Sequence, residues 1–168
     1  MTVTEKTARK SALSLNVQRG QVVCRDCRFE GAGIRASGVH AQVQLTRSTL
    51  SGCIGHGLVV AHGASAEVSK CLITKCIGDG IGAESGQLGN QTRVTVRETE
   101  VSDCGRFGVR AYNSTVVGVL DGCTVARCES AFAEKSGKIC GAGVDSSRLV
   151  KLKPIERPQH SLGRATAL

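Results

Sequence analysis

Five apolar residues, Phe29, Leu50, Ile73, Val101 and Val125, fall into one column at successive spacings of 21, 23, 28 and 24 residues. A repeat of this length is too short to bury its own apolar face, so each unit must stack on its neighbours. Other columns move with it. Two residues earlier stand Cys27, Ser48, Cys71, Thr99 and Cys123, and three residues later stand Cys53, Cys76, Cys104 and Cys128. Seven before come Val22, Val43, Ala66, Val94 and Gly118, and five before come Cys24, Leu45, Val68, Val96 and Leu120. A Gly-aliphatic pair follows at Gly33-Ile34, Gly57-Leu58, Gly80-Ile81 and Gly108-Val109, with Ala36, Val60, Ala83 and Ala111 two positions on. Each repeat therefore holds three short segments of period two, which predicts strands with one face inward and Gly or small polar residues at the corners. No segment sustains a period of 3.6, and the Gly and β-branched content opposes helix. The pattern predicts an all-β solenoid of about five stacked coils, each rising ~4.8 Å.

Composition fits a thin interior. Tyr112, Phe29, Phe107 and Phe132 are the only aromatics among 168 residues, so Val, Ile, Leu, Ala and Cys must fill the core. No apolar run approaches the ~18 residues of a membrane span, and the first twenty residues carry no secretory signal pattern. The net charge of +8 divides unevenly: residues 1–20 carry +3, residues 148–168 carry +4, and the body between carries 13 basic and 12 acidic side chains. The basicity lies in the ends. A nearly neutral body with four aromatics offers no stacking platform or steering field for nucleic acid, which leaves tail-mediated contact as the route to RNA.

Nine cysteines, an odd number, argue for reduced thiols and an intracellular, reducing compartment. The column Cys53, Cys76, Cys104 and Cys128 reads as stacked core thiols. Zinc is an alternative reading, with Cys24, Cys27, Cys71 and Cys76 as candidate ligands, although the coil period alone produces the x4 spacing; inter-coil disulfides are a third.

The recurring Leu50-Ser51-Gly52-Cys53 and Val101-Ser102-Asp103-Cys104, each followed by a Gly-aliphatic pair, resemble the right-handed parallel β-helix, or pectin-lyase-like, superfamily over about residues 20–143. The resemblance implies a single-stranded right-handed parallel β-helix, in which Cys here replaces the Asn ladder common in that family. It is nearly silent on function, because such helices serve as enzymes and as scaffolds. Gly55-His56-Gly57 resembles the Gly-His-Gly element of the polygalacturonase branch, which would make His56 the companion of catalytic carboxylates. The Asp pair and the Arg-Ile-Lys element of that branch are missing. The residues themselves suggest His56, Asp79 and Arg106 stacked at one corner on consecutive coils, either a substrate-positioning row or a ladder of complementary charge.

The chain thus divides into a basic leader with a capping strand (1–20), a β-helix (21–147), and a closing strand with a basic tail (148–168). Leu13, Leu15 and Val17 are expected to cover the first coil, and Val150 and Leu152 the last. The longest repeat places its extra length at Glu84 to Thr92, a projecting loop. The expected role is a non-catalytic structural or protein-interaction subunit of a larger assembly, without a cofactor. It would dock through Lys6, Arg9, Lys10, Arg19, Arg148, Lys151, Lys153 and Arg157 at the ends, and Glu84, Gln87 and Asn90 in the loop. The alternative is a carbohydrate-active or carbohydrate-binding β-helix, a polysaccharide hydrolase or lyase, using the His56, Asp79 and Arg106 corner.

Overall fold

The computed structural model describes residues 2–4, 13–85, 91–113 and 115–152. Nearly all of them lie in short parallel strands or in the corners between strands. The strands form three faces. Face A stacks Thr2–Thr4, Arg28–Glu30, Thr49–Ser51, Leu72–Thr74, Glu100–Ser102 and Thr124–Ala126. Face B stacks Leu13–Val17, Gly33–Ser37, Leu58–Ala61, Ile81–Glu84, Phe107–Tyr112, Ser130–Lys135 and Leu149–Lys151. Face C stacks Gly20–Arg25, Ala41–Thr46, Ser65–Ser69, Arg93–Arg97, Val116–Val119 and Lys138–Cys140. The chain passes C, A, B five times, with one lead-in strand on A and one on B before, and one strand on C and one on B after.

Period-two segments become strands here because alternate residues meet the same column on the next coil. Phe29, Leu50, Ile73, Val101 and Val125 pair in register on face A. Ile34, Leu58, Ile81, Val109 and Phe132 do so on face B. All ten are buried and belong to one continuous core. At ~25 cal/mol per Å² of apolar surface removed from water, these ladders dominate the favourable side of folding.

The corners turn on residues in the left-handed region: both that flank face A in every coil, and the one between B and C at Gly38, His62, Asn113 and Ser136. Between C and A these are Asp26, Arg47, Lys70 and Glu98, with φ from 43° to 55°, and Gly122 at 74°. Between A and B they are Gly31, Gly52, Lys75, Asp103 and Arg127. Their N–H groups still bond to the carbonyl of the next coil, as in Arg47 N to Ser69 O at 3.1 Å and Lys75 N to Ser102 O at 3.2 Å. The left-handed residue bends the chain without interrupting the inter-coil hydrogen bonds. Long charged side chains tolerate it because they point outward and pair along the axis. Arg47 grips Asp26 at 2.7 and 2.6 Å, and Arg127 grips Asp103 at 2.6 and 2.8 Å.

The structure corrects the predicted columns in two places. In the fifth coil Val117 and Val119, not Gly118 and Leu120, pair with Val94 and Val96 and fill the core. The corner at Asp121 and Gly122 is one residue longer than its counterparts, which shifts the preceding strand by one and reverses which side chains face inward. At the C-terminal end Leu149 pairs with Phe132 and packs on the core, whereas Val150 is 40% exposed. The lead-in strand lies where expected: Val17 is buried and Leu15 packs against the core. Residues 86–90 of the long loop lie outside the described residues.

Candidate functional site

The corner between faces A and B is the widest in coils two to four. Four residues, Ile54 to His56 and Gly57, separate Cys53 from Leu58, and Ile77 to Gly80 separate Cys76 from Ile81. In the third coil Asp79 is wholly buried, while the His56 side chain is 32% exposed. The N–H of Asp79 donates to His56 Nδ1 at 2.8 Å. The same Nδ1 stands 3.3 Å from Asp79 Oδ2.

Asp79 draws its counter-charge from the next coil. Arg110 Nε stands 2.7 Å from Asp79 Oδ2, and Arg110 Nη2 donates to Glu84 Oε1 at 3.1 Å. The Nε contact does not have the alignment of a hydrogen bond, so attraction between the charges holds it. Gly82 lies beneath this reach. It sits directly opposite Arg110 in the register, and a Cβ there would lie 3.6 Å from Asp79 Oδ2 and 3.8 Å from Arg110 Nη2. The guanidinium lies across bare backbone and is 12% exposed. Burial pushes the Asp79 carboxyl up, but the polar contacts of His56, the charge of Arg110 and the N–H of Phe107 outweigh it and hold the group below the ordinary carboxylate value.

Arg106 does not join this cluster as the sequence suggests. Registering the repeats on the Gly-aliphatic pair aligns His56 and Asp79 with Phe107, whose N–H faces Asp79 Oδ1 at 3.4 Å. Arg106 is exposed and lies over the Phe107 ring at 5.6 Å. The partners that spacing did not single out are Arg110 and Glu84. Their signal is Gly82, a missing side chain in register with a long cation on the next coil.

A common rule emerges for the corners. His56 accepts a backbone N–H from the next coil, Asp79 faces another, and Ser48 and Thr99 each accept one from the preceding coil, Cys27 N at 3.1 Å and Cys71 N at 3.3 Å. Corner amides that fall outside the sheets are thus capped by polar side chains one coil away. Chemically, the cluster holds Asp79 away from solvent and ties Glu84 to Arg110, so the group offering a free edge to water is His56 through Nε2. Paired acid-base cleavage of a glycosidic bond needs two carboxyls flanking the bond. A wholly buried Asp79 does not flank one.

The candidate metal ligands lie on different columns. Cys24 points into the core from face C, Cys27 and Cys71 sit at the corner between C and A with thiols donating to Arg25 O and Ser69 O, and Cys76 sits at the next corner. Among the described residues, no group of three or more metal-binding side chains converges. Of the proposed docking residues, Arg19, Arg148 and Lys151 are exposed. Lys6, Arg9, Lys10, Gln87, Asn90, Lys153 and Arg157 lie outside the described residues. The neck of the long loop is closed: Thr92 Oγ1 donates to Glu84 O at 2.8 Å and accepts from Gly63 N at 2.9 Å.

A family model described as right handed beta helix region matches residues 32–149. No curated protein and no solved structure matches the chain.

Proposed function

The chain belongs to the right-handed β-helix family, and from that premise we propose that it acts as a non-catalytic subunit of a larger assembly, offering a rigid β-helix to a protein partner. The observation that carries this reading is the fate of the polar corner. Its buried carboxylate and cation are spent on joining coils two, three and four, through Asp79 to His56 and Arg110 and through Arg110 to Glu84. The features left for docking are the pinched loop after Glu84, the exposed Arg19, Arg148 and Lys151, and the neighbouring Ile54 and Ile77, which are 64% and 67% exposed. Exposed isoleucines on adjacent coils favour a protein surface as the partner. The nine unpaired thiols support a reducing compartment.

Carbohydrate binding is the second reading. The shallow cleft on face A presents Arg28, Glu30, Thr49, Ser51, Thr74 and Lys75, a set of hydrogen-bonding groups suited to a hydroxyl-rich chain. The deciding experiment is native mass determination of the tagged full-length protein purified from its own source, with identification of co-eluting molecules. A stoichiometric protein complex that survives nuclease and moderate salt, and weakens in Ile54→Asp/Ile77→Asp, supports the assembly reading. A free monomer that binds or cleaves polyuronides overturns it. Co-elution with RNA that falls steeply with salt would instead assign the basic tails to nucleic acid.

A further inference from the structure

The cysteine ladder has a closed end and an open one. Ala32 occupies its place in the first coil and is wholly buried. Cys53, Cys76 and Cys104 follow at 0%, 2% and 2% exposure, and Cys128 is half-buried. The sulfurs repeat one position. A Cβ added to Gly57 would stand 3.1 Å from Cys76 Sγ, one on Gly80 3.2 Å from Cys104 Sγ, and one on Gly108 3.5 Å from Cys128 Sγ. Sulfurs so placed are separated by about one coil rise, ~4.8 Å between backbones, inside the Cα range of disulfides. Each of the last three thiols donates to a carbonyl of its own coil, Cys76 to Thr74 O, Cys104 to Ser102 O at 3.4 Å and Cys128 to Ala126 O at 3.3 Å. Among the described residues Thr124–Ala126 is the last strand of face A, so Cys128 ends the row there.

We propose that Cys128 and Cys104 form a hydroperoxide-oxidation site whose product is a disulfide between the fourth and fifth coils. The sulfur of half-buried Cys128, as thiolate, attacks one peroxide oxygen. The S–O bond forms, the O–O bond breaks, and the departing oxygen takes a proton from solvent to leave as water or an alcohol. Cys104 thiolate then displaces hydroxide from the Cys128 sulfenic acid: the S–S bond forms, the S–O bond breaks, and hydroxide leaves as water. Two thiols lose two electrons and the peroxide gains them.

The adjacent Cys76 thiol holds Cys104 down to about 7 against the effect of burial, while burial pushes Cys128 up. The two thiols lie close enough to titrate as a pair, so either sulfur can carry the charge. Cys76, buried between Cys104 and Cys53, is pushed up by these neighbours and by burial and stays protonated. The other half-buried thiols lack this arrangement. Cys27 and Cys123 stack next to Ser48 and Thr99, and Cys140 pairs with Gly118. Burial and the neighbouring Cys27 thiol push Cys24 up.

The test uses reduced full-length protein titrated with hydrogen peroxide, alkylated and mapped by mass spectrometry. The first bridge to form is expected to be Cys104–Cys128, with loss of two titratable thiols. In Cys104→Ser the sulfenic acid on Cys128 should persist and be trapped by dimedone, and Cys128→Ser should slow the first phase at least tenfold. A first bridge at Cys24–Cys27 or elsewhere, or a wild-type Cys128 sulfenic acid that never resolves, overturns the proposal. The wild-type map decides the matter even if either variant fails to fold.

Discussion

Asp79 shows how far one residue depends on its neighbours two coils apart. Removing its charge leaves Arg110 with no counter-charge at that end in a site that excludes water, so Asp79→Asn should lower stability by about 3 kcal/mol in urea unfolding. Glu84→Gln, at the exposed end of the same guanidinium, should cost less than about 1 kcal/mol. The pH dependence has a definite sign. Asp79 and Asp103 both titrate below the usual carboxylate value of 3.8, the second at about 2 through its hydrogen bond to Arg127. Their contribution is complete above 3.8 and is lost as pH falls through the folded-state values. Urea midpoints of wild type and Asp79→Asn should therefore converge on acidification below 3.8 and not above it. Lys75, in the left-handed region at φ 57°, yields the opposite kind of change. Lys75→Gly should raise the urea midpoint by the equivalent of up to about 1 kcal/mol, because glycine relieves the backbone strain. Arg127→Gly should not, since it also removes the grip on Asp103. His56 and Asp79 were legible as neighbours from their place before the Gly-aliphatic pair. Arg110 was not, because a cation recognised through the absence of a side chain at Gly82 leaves no mark in its own segment.

The strands interlock through the glycine that precedes each inward aliphatic residue on face B. A Cβ on Gly80 would strike Val101 Cγ1 of the next coil and lie 2.8 Å from Gly108 O. A Cβ on Gly108 would strike Val125 Cγ1 and lie 2.8 Å from Ala131 O. Gly80→Ala should thus cost about 1–3 kcal/mol through overpacking against backbone that has nowhere to go. Gly82→Ala, whose Cβ meets only ordinary contacts at 3.6 and 3.8 Å, should stay within about 0.5 kcal/mol. Chemical denaturation of the two variants side by side checks both. These columns were readable because the strand period and the coil period act on the same residues. The fifth coil broke the reading. One extra corner residue near Gly122 is small in sequence, yet it exchanges the inward and outward sets, and only packing against Val94 and Val96 reveals which set is inside.

Across the molecule each coil touches only its neighbours, so protection should grade along the axis. Hydrogen exchange is expected to be slowest in Leu58–Ala61 and Ile81–Glu84, which have a coil on either side, and fastest in Lys138–Cys140, the last strand of its face. Uniform protection from end to end would contradict this picture. The sequence by itself determined the architecture: repeat length set the coil, period-two alternation set the inward columns, and the scarcity of aromatics set a thin core. Those properties are local and recur in every coil, so they survive as a pattern in one dimension. Tertiary structure alone decided which charges meet, which corner residues take the left-handed bend, and that Cys128 is the open end of a buried thiol row. Each of these depends on stacking register and on what lies one coil away, and a shift of a single residue changes both while leaving composition and spacing almost untouched.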